Sequence, residues 1–201
     1  MARRTLVNID KKILRGAIRM GAEDGIENIS TIKLSNKIGI SEGTIFVHFK
    51  TKEHLIHECS HFLMDDIRKY AIKNKEFFSP LDSLYRKWLI FCKYFFEKQD
   101  YCKFFDQFLH SKYQYMLFAN EQTVINQARF NELFNEYSIY EYTDNEKNML
   151  WRHIINSTMS YVNSCIELNS DVLLSDDIRN PKLKFAFRVI CSGVFEKYNY
   201  N

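Results

Sequence analysis

Between residues 31 and 52 the chain carries a series of side chains that can bind the phosphates and base edges of DNA. Hydroxyl and ammonium groups donate hydrogen bonds to phosphate oxygens, and side chains in a major groove can also reach base edges. For any one polar residue here, the competing interpretation is a solvated surface group. The candidate DNA-binding set has nine members: Thr31, Lys33, Ser41, Glu42, Gly43, Thr44, Phe46, His48 and Lys52.

Glu42 and Phe46 are the two members whose chemistry does not suit a phosphate. Glu42 could accept a hydrogen bond from a cytosine amino group and so favour C at one position of the bound DNA. Alternatively, it is an acid in the first turn of a helix and only stabilises that helix. Phe46 has no group to donate to a phosphate, and could instead pack against a sugar or a thymine methyl group.

The residues around Gly39 predict the elements that would hold these side chains. Leu34 and Ile38 lie on one helix face, and Gly39 ends that helix. Ser41 is a good N-cap for the next helix because its hydroxyl can accept from an otherwise unpaired backbone N–H. Two short helices joined by a glycine turn are typical of a helix-turn-helix, whose second helix enters the major groove.

The pattern continues on both sides of this turn and resembles the N-terminal domain of TetR-type repressors over roughly residues 8–56. The resemblance implies contacts with the DNA backbone for four positions: Thr44, Phe46, His48 and Lys52. The residues that carry it are Ile13, Leu14, Ala17, Gly25, Ser30, Thr31, Gly39, Ile40, Ser41, Gly43, Thr44, Ile45, Phe46, His48, Phe49, Lys52, Glu53 and Leu55.

Three residues depart from the usual pattern of that family. Phe46 stands where a tyrosine is usual, Gly21 where a bulky aromatic residue is usual, and Ser35 where alanine is common. The space left by Gly21 has to be filled if the small domain is to be rigid. We expect Phe62 or Met20 to fill it.

Charge and aromatic content divide the chain into two parts. Residues 1–52 hold ten Lys or Arg against five Asp or Glu, whereas the rest of the chain holds 18 against 20. Of the 31 aromatic residues, only Phe46 and Phe49 precede residue 53. A basic N-terminal part on a slightly acidic body is the electrostatic pattern of a phosphate-binding module.

Helix signals recur along the chain, and we find no strand signal. With only 6 Gly and 2 Pro, we predict an all-α fold of about nine helices. A three-helix helix-turn-helix domain would occupy residues 1–52, and a larger helical effector-binding and dimerisation domain residues 53–201. Eight of the expected helices run from Ile9 to Asp24, Ser30 to Ile38, Thr51 to Lys73, Ser79 to Lys98, Asp100 to Phe108, Gln114 to Tyr137, Thr143 to Leu168 and Asn180 to Tyr198. The remaining one is a short helix that begins at Ser41.

Aromatic side chains of the C-terminal part could line a ligand pocket or form ordinary core. At helical spacing such residues more often form core, whereas the resemblance to TetR-type proteins implies an effector pocket. A mostly apolar ligand with a few polar groups would suit them. The candidate pocket residues are Trp88, Phe91, Phe95, Phe104, Phe105, Phe108, Tyr113 and Trp151.

The last two long helices are expected to make a homodimer. Small residues allow close helix approach there, and apolar residues supply the area to be buried. Two-fold pairing is also what a palindromic operator requires. The candidate interface residues are Leu150, Ile154, Tyr161, Phe185, Val189 and Phe195.

Two further residue types could carry chemistry. His57 and His61 are four residues apart with Glu58 between them, but a metal site needs more ligands, and we expect no metal and no cofactor. The five cysteines form no Cys-x-x-Cys pair, and we expect buried, reduced thiols. A redox-sensing role for Cys92 or Cys102 is the competing interpretation.

We therefore predict a homodimeric transcriptional regulator and not an enzyme, with double-stranded DNA and a small-molecule effector as partners. It would be a repressor that a small, largely apolar ligand releases from a palindromic operator. The alternative is a DNA-binding regulator controlled by a protein partner or by no ligand. The sequence has no glycine-rich phosphate loop or nucleophile motif. It also lacks a signal peptide and an apolar run long enough to cross a membrane, so we expect a cytoplasmic protein.

Overall fold

A computed structural model describes residues 8–73, 83–115, 141–174 and 179–191. Within these ranges the backbone forms eight α-helices and two short 3-10 helices, which confirms the all-α prediction. The α-helices are α1 (Asn8–Asp24), α2 (Thr31–Ile38), α3 (Glu42–His48), α4 (Lys52–Lys73), α5 (Ser83–Glu97), α6 (Gln99–Leu109), α7 (Asp144–Glu167) and α8 (Pro181–Cys191). The 3-10 helices are Ile26–Asn28 and Asp171–Leu173.

Most helix starts lie where local capping chemistry predicts them. Ser30 and Ser41 each accept a hydrogen bond from a backbone N–H of the helix that follows. Thr143 and Glu146 form a complete capping box at the start of α7. Asp100 is an exception, because it lies in the first turn of α6 and Lys98 occupies the N-cap position.

Three predicted helix segments lie partly or wholly outside the described residues. The expected start of the fifth helix at Ser79 and the expected end of the last helix at Tyr198 are two of them. The third is the helix predicted from Gln114 to Tyr137, of which only Gln114 and Tyr115 are described, at the end of a turn.

The described residues group into two compact units that differ from the predicted domains 1–52 and 53–201. The first unit contains residues 8–69 and 98–115, and the second contains residues 70–73, 83–97, 141–174 and 179–191. Helix α6 thus belongs to the same unit as the helix-turn-helix. It does so because it packs along α1.

The first unit is built around the apolar face of α1. Its fully buried core residues come from five helices: Ile13, Leu14, Ala17 and Ile18 of α1, Leu34 of α2, Ile45 of α3, Leu55 and Leu63 of α4, and Phe104, Phe105 and Phe108 of α6. The backbone N–H of Ile26 donates to Gln107 Oε1 at 2.9 Å, which ties the turn after α1 to α6. Helix α6 therefore covers a large part of the α1 face.

The space beside Gly21 is filled from α6. A Cβ atom on Gly21 would lie 2.7 Å from Cδ2 of Phe104, closer than van der Waals contact allows. The expectation that Phe62 or Met20 fills this space is therefore wrong. The aromatic ring that is usual at this position of α1 is replaced here by a ring from a different helix.

The second unit has an aromatic centre formed by α5, α7 and α8. The Trp88 ring lies 5.8 Å from that of Tyr161 and 5.5 Å from that of Phe187, centroid to centroid. Trp88 Nε1 also donates to Thr158 Oγ1 at 3.0 Å, and both residues are buried. The one polar atom of the indole therefore has a hydrogen-bond partner, and its rings pack against other aromatic rings.

Candidate nucleic-acid interface

The turn between α2 and α3 has the geometry that a helix-turn-helix needs. Gly39 adopts φ = 65° and ψ = 49°, the left-handed conformation that glycine reaches without strain. The backbone N–H of Ile40 donates to the Ser35 carbonyl at 3.0 Å and closes the end of α2. Only Gly39 and Ile40 separate the end of α2 from Ser41, the N-cap residue of α3.

The first turns of α2 and α3 are joined by side chains. Thr31 Oγ1 donates a hydrogen bond of 2.5 Å to Glu42 Oε1, and both residues are half-buried. One carboxylate oxygen of Glu42 is therefore committed to a residue of its own protein. This bond fixes the N-terminus of α2 relative to the N-terminus of α3. These are the ends of the two helices that would face DNA.

Ser41 and Thr44 serve the start of α3. Ser41 Oγ accepts from the Thr44 backbone N–H at 3.1 Å, and the two hydroxyl oxygens are 2.8 Å apart. Ser41 is exposed and Thr44 is half-buried. Ser41 thus caps α3, and the Thr44 hydroxyl is engaged with the Ser41 hydroxyl.

The far end of α3 is attached to α1. His48 Nδ1 contacts the Asp10 carboxylate, and the two side chains are only 14% and 5% exposed. This arrangement turns the imidazole inwards, where the sequence suggested a residue facing the DNA backbone. The contact between His48 and Asp10 therefore joins the end of α3 to α1.

Lys52 is also engaged by the protein itself. Its ammonium donates to the backbone carbonyl of Glu27, at 2.5 Å, in the 3-10 helix after α1. Lys33 and Lys50, by contrast, are exposed, and none of the described residues forms an ion pair with either. Among the lysines of this surface, these two are the better placed to reach phosphates.

The exposed face of α3 is apolar and small. Gly43, Phe46 and Val47 lie on it, with Phe46 45% and Val47 80% exposed. On α2, Ile32 is also exposed. Val47 is not among the nine candidate residues, although the four-residue spacing from Gly43 places it on the same helix face.

A basic groove lies along the outer face of α1. It has a volume of about 580 Å³ and is lined by Asn8, Lys11, Lys12, Arg15, Gly16, Arg19, Lys37 and Ile38. Arg19 pairs with Asp100 at 3.6 Å and Lys37 pairs with Glu23. Lys11 and Lys12 form no ion pair with a described residue. The groove adds positive charge to the same unit as the helix-turn-helix.

The predicted pocket residues are divided between the two units. Phe104, Phe105, Phe108 and Tyr113 are buried in the first unit, whereas Trp88, Phe91, Phe95 and Trp151 belong to the second. In the first unit, Phe104 fills the space beside Gly21. In the second unit, Phe91 and Phe95 form an edge-to-face pair with ring centroids 4.8 Å apart. The eight residues thus do not line one common site within either unit.

The predicted interface residues differ in exposure. Phe185 and Val189 are 67% and 59% exposed and lie one turn apart on α8. Ile154 is buried, and Leu150 and Tyr161 are half-buried. Phe195 lies outside the described residues. Helix α8 therefore presents an exposed apolar pair, while most of the α7 members pack within their own unit.

Histidine and cysteine side chains form no metal centre in the described ranges. No group of three or more His, Cys, Asp or Glu there is arranged to hold an ion. His57, hydrogen-bonded to Glu58, lowers the pKa of that carboxyl, and the neighbouring His61 and His54 act in the same direction. Burial raises the pKa of the Cys102 thiol to about 12, so the reactive thiolate is scarce at neutral pH.

None of the described helices is both long enough and apolar enough to cross a membrane.

Comparison with known proteins finds a similarity that includes the helix-turn-helix. Residues 13–59 match the family described as bacterial regulatory proteins, tetR family. An uncharacterized HTH-type transcriptional regulator from Haemophilus influenzae is 24% identical over 88 residues. That match covers 42% of this chain and 47% of the relative, so the chain spans less than half the length of this curated protein.

Solved structures share the fold over nearly the whole chain. A tetR family regulator from Shewanella sp. PV-4 aligns with a TM-score of 0.71 at 12% identity, covering 91% of this chain and 98% of that one. A second, from Marinobacter aquaeolei VT8, gives 0.68 at 17% identity and covers 90% and 92%. The regulator FadR from Bacillus subtilis, in complex with stearoyl-CoA, gives 0.64 at 15% identity and covers 92% and 98%.

The matched helix-turn-helix segment and the shared helical fold support the same assignment. The proteins of this family are regulators and not enzymes. This chain is therefore similar to TetR-type transcriptional regulators in its helix-turn-helix segment and in its helical fold.

Proposed function

We propose that the protein is a homodimeric repressor that binds a palindromic operator and leaves it when a small, largely apolar ligand binds the second unit. The observation that carries the DNA-binding part is the construction of α3. Its N-terminus is joined to α2 through Thr31 and Glu42, and its C-terminus is attached to α1 through His48 and Asp10. A helix held at both ends, with an exposed outer face, is preorganised to enter a major groove.

Charge on the same unit supports DNA as the partner. Lys33 and Lys50 are exposed beside the helix-turn-helix, and the groove along α1 adds Lys11 and Lys12. Each lysine that contacts a phosphate releases counterions, so binding should weaken steeply with salt. Of the nine candidate residues, we assign Thr31, Glu42 and His48 to holding α3, and Lys33 to the DNA backbone.

The dimer is supported by the apolar pair on α8. Phe185 and Val189 are exposed and lie on one face of the helix, where a second copy would cover them. A two-fold dimer presents two α3 helices, which is what the two half-sites of a palindrome need.

The proposed effector is a small, largely apolar molecule. FadR from Bacillus subtilis was solved with stearoyl-CoA, a ligand with a long apolar chain, and its fold resembles that of this chain. Phe91, Phe95 and Trp151 of the second unit are the candidates for lining a pocket of that kind. Ligand binding there would lower DNA affinity only by the difference in its affinity for the two states of the protein.

A second candidate function rests on the packing around Trp88. This indole is buried, surrounded by aromatic rings and hydrogen-bonded to Thr158. A centre that is already filled favours a regulator controlled by a protein partner or by no ligand.

The experiment that tests the DNA-binding proposal is operator selection from random duplexes, followed by affinity measurements over a range of salt concentrations. Lys33→Gln should reduce the slope of log K against log salt by about 0.9 for each phosphate that the lysine neutralises, or about 2 for a dimer. Lys103→Gln is the matched control, because Lys103 is an exposed lysine on α6 of the same unit. Equal slopes for the two variants would remove Lys33 from the interface, and selection of no palindrome would contradict the proposed function.

A further inference from the structure

Each of the three polar side chains of α3 contacts another residue of the protein. Glu42 accepts from Thr31, Thr44 is bonded to Ser41, and His48 is turned towards Asp10. What remains exposed on α3 is Gly43 and, three and four residues later, Phe46 and Val47. At this spacing the three residues share one helix face.

Apolar side chains can recognise one feature of the major groove. The edges of A, G and C present hydrogen-bond donors and acceptors there, whereas thymine also presents its 5-methyl group. We propose that α3 reads its operator chiefly through thymine methyl groups, which Val47 and Phe46 contact. This inference rests on the proposed DNA-binding function and names the chemistry by which that surface selects its sequence.

Gly43 completes this reading surface because it leaves the backbone of α3 open. A Cβ atom on Gly43 would meet nothing nearer than Ser41 Oγ, at 3.7 Å, so the fold itself has room for a side chain. The fold therefore does not require glycine at this position. On the exposed side of α3, however, the absence of a side chain lets the helix backbone come close to the base pairs beside Val47. Gly43→Ala should leave the protein at least as stable as the wild type, because alanine is the better helix former, and should weaken operator binding.

The test removes single methyl groups from the DNA. In the selected operator, each thymine is replaced in turn by uracil, which lacks the methyl group and keeps the hydrogen-bonding edges. We expect one or two positions in each half-site at which the Kd of the wild-type protein rises about fourfold, as for the loss of one buried methyl group. The other thymines should tolerate uracil.

Val47→Ala identifies the side chain that makes the contact. This variant should bind the thymine operator more weakly, and uracil at the position read by Val47 should then cause no further loss. Ile72→Ala is the matched control, because Ile72 is an exposed apolar residue at the end of α4, away from α3 in the sequence, and its removal should change neither affinity. Thermal unfolding of all variants separates a loss of binding from a loss of folding.

Two outcomes would overturn the proposal. If the wild type binds its operator equally well with every thymine replaced, methyl groups are not read, while the DNA-binding function stands. If Val47→Ala leaves the sensitivity to uracil unchanged at every position, Val47 is not the reader. Failure to bind any selected duplex would instead contradict the proposed function as well, so the two failures are distinguishable.

Discussion

Glu42 illustrates how a side chain can lie where the sequence predicts it and still serve another partner. The helix position was correct, in the first turn of α3. The sequence left open whether the carboxylate reads cytosine or stabilises its own helix, and the structure shows a third interaction, a hydrogen bond from Thr31. The spacing of a motif identifies the residues of a surface, but the partner of a half-buried side chain depends on packing between helices.

At the residue scale, Thr31→Val should loosen the helix-turn-helix. Valine keeps the shape of threonine but cannot donate to Glu42, so we expect the free energy of unfolding to fall by about 1 kcal/mol. Urea unfolding measures this change. Thr31→Ser, which keeps a hydroxyl group, is the control and should lose less. A valine variant as stable as the wild type would mean that the bond contributes nothing to stability.

At the element scale, local signals were enough to place helices and not enough to place their neighbours. Ser41 and Thr143 cap their helices as predicted, because a cap depends on residues within one turn. The contact between His48 and Asp10 joins two helices far apart in the sequence, and no local pattern indicates it. The same limit explains Gly21, whose neighbour Phe104 comes from α6 and not from the small domain.

The close approach of α1 and α6 gives the prediction at this scale. Gly21→Ala should destabilise the protein by about 1–3 kcal/mol, because the added methyl group collides with the buried Phe104 ring. This loss should exceed the gain of about 1 kcal/mol from better helix propensity. Chemical denaturation gives the net value.

A double-mutant cycle shows whether the collision is the cause. Phe104→Leu makes space beside residue 21, so Gly21→Ala should cost less in that background than in the wild type. Equal costs in the two backgrounds would mean that Phe104 is not what restricts this position.

At the scale of the whole molecule, dimerisation and DNA binding should fail together. Phe185→Glu places a charge on the exposed apolar pair of α8, and we expect the protein to become monomeric. Affinity for a palindromic operator should then fall about 100-fold or more, because the two half-sites are no longer bound by one linked pair. Light scattering with size-exclusion chromatography measures the first effect and operator binding the second.

Ile72→Glu is the control for the added charge, because Ile72 is an exposed apolar residue of the same unit, at the end of α4. It should remain dimeric. If Phe185→Glu also remains dimeric, the partner copy covers a different surface from the α8 pair.

The placement of α6 has a consequence for how this protein can be divided. The first unit is made of two separate stretches of chain, residues 8–69 and 98–115, with α5 of the other unit lying between them in sequence. It is therefore a discontinuous domain, and no single cut excises it. A truncated protein that ended at residue 69 would keep the whole helix-turn-helix, yet it would expose to water the α1 face that Phe104 and its neighbours cover.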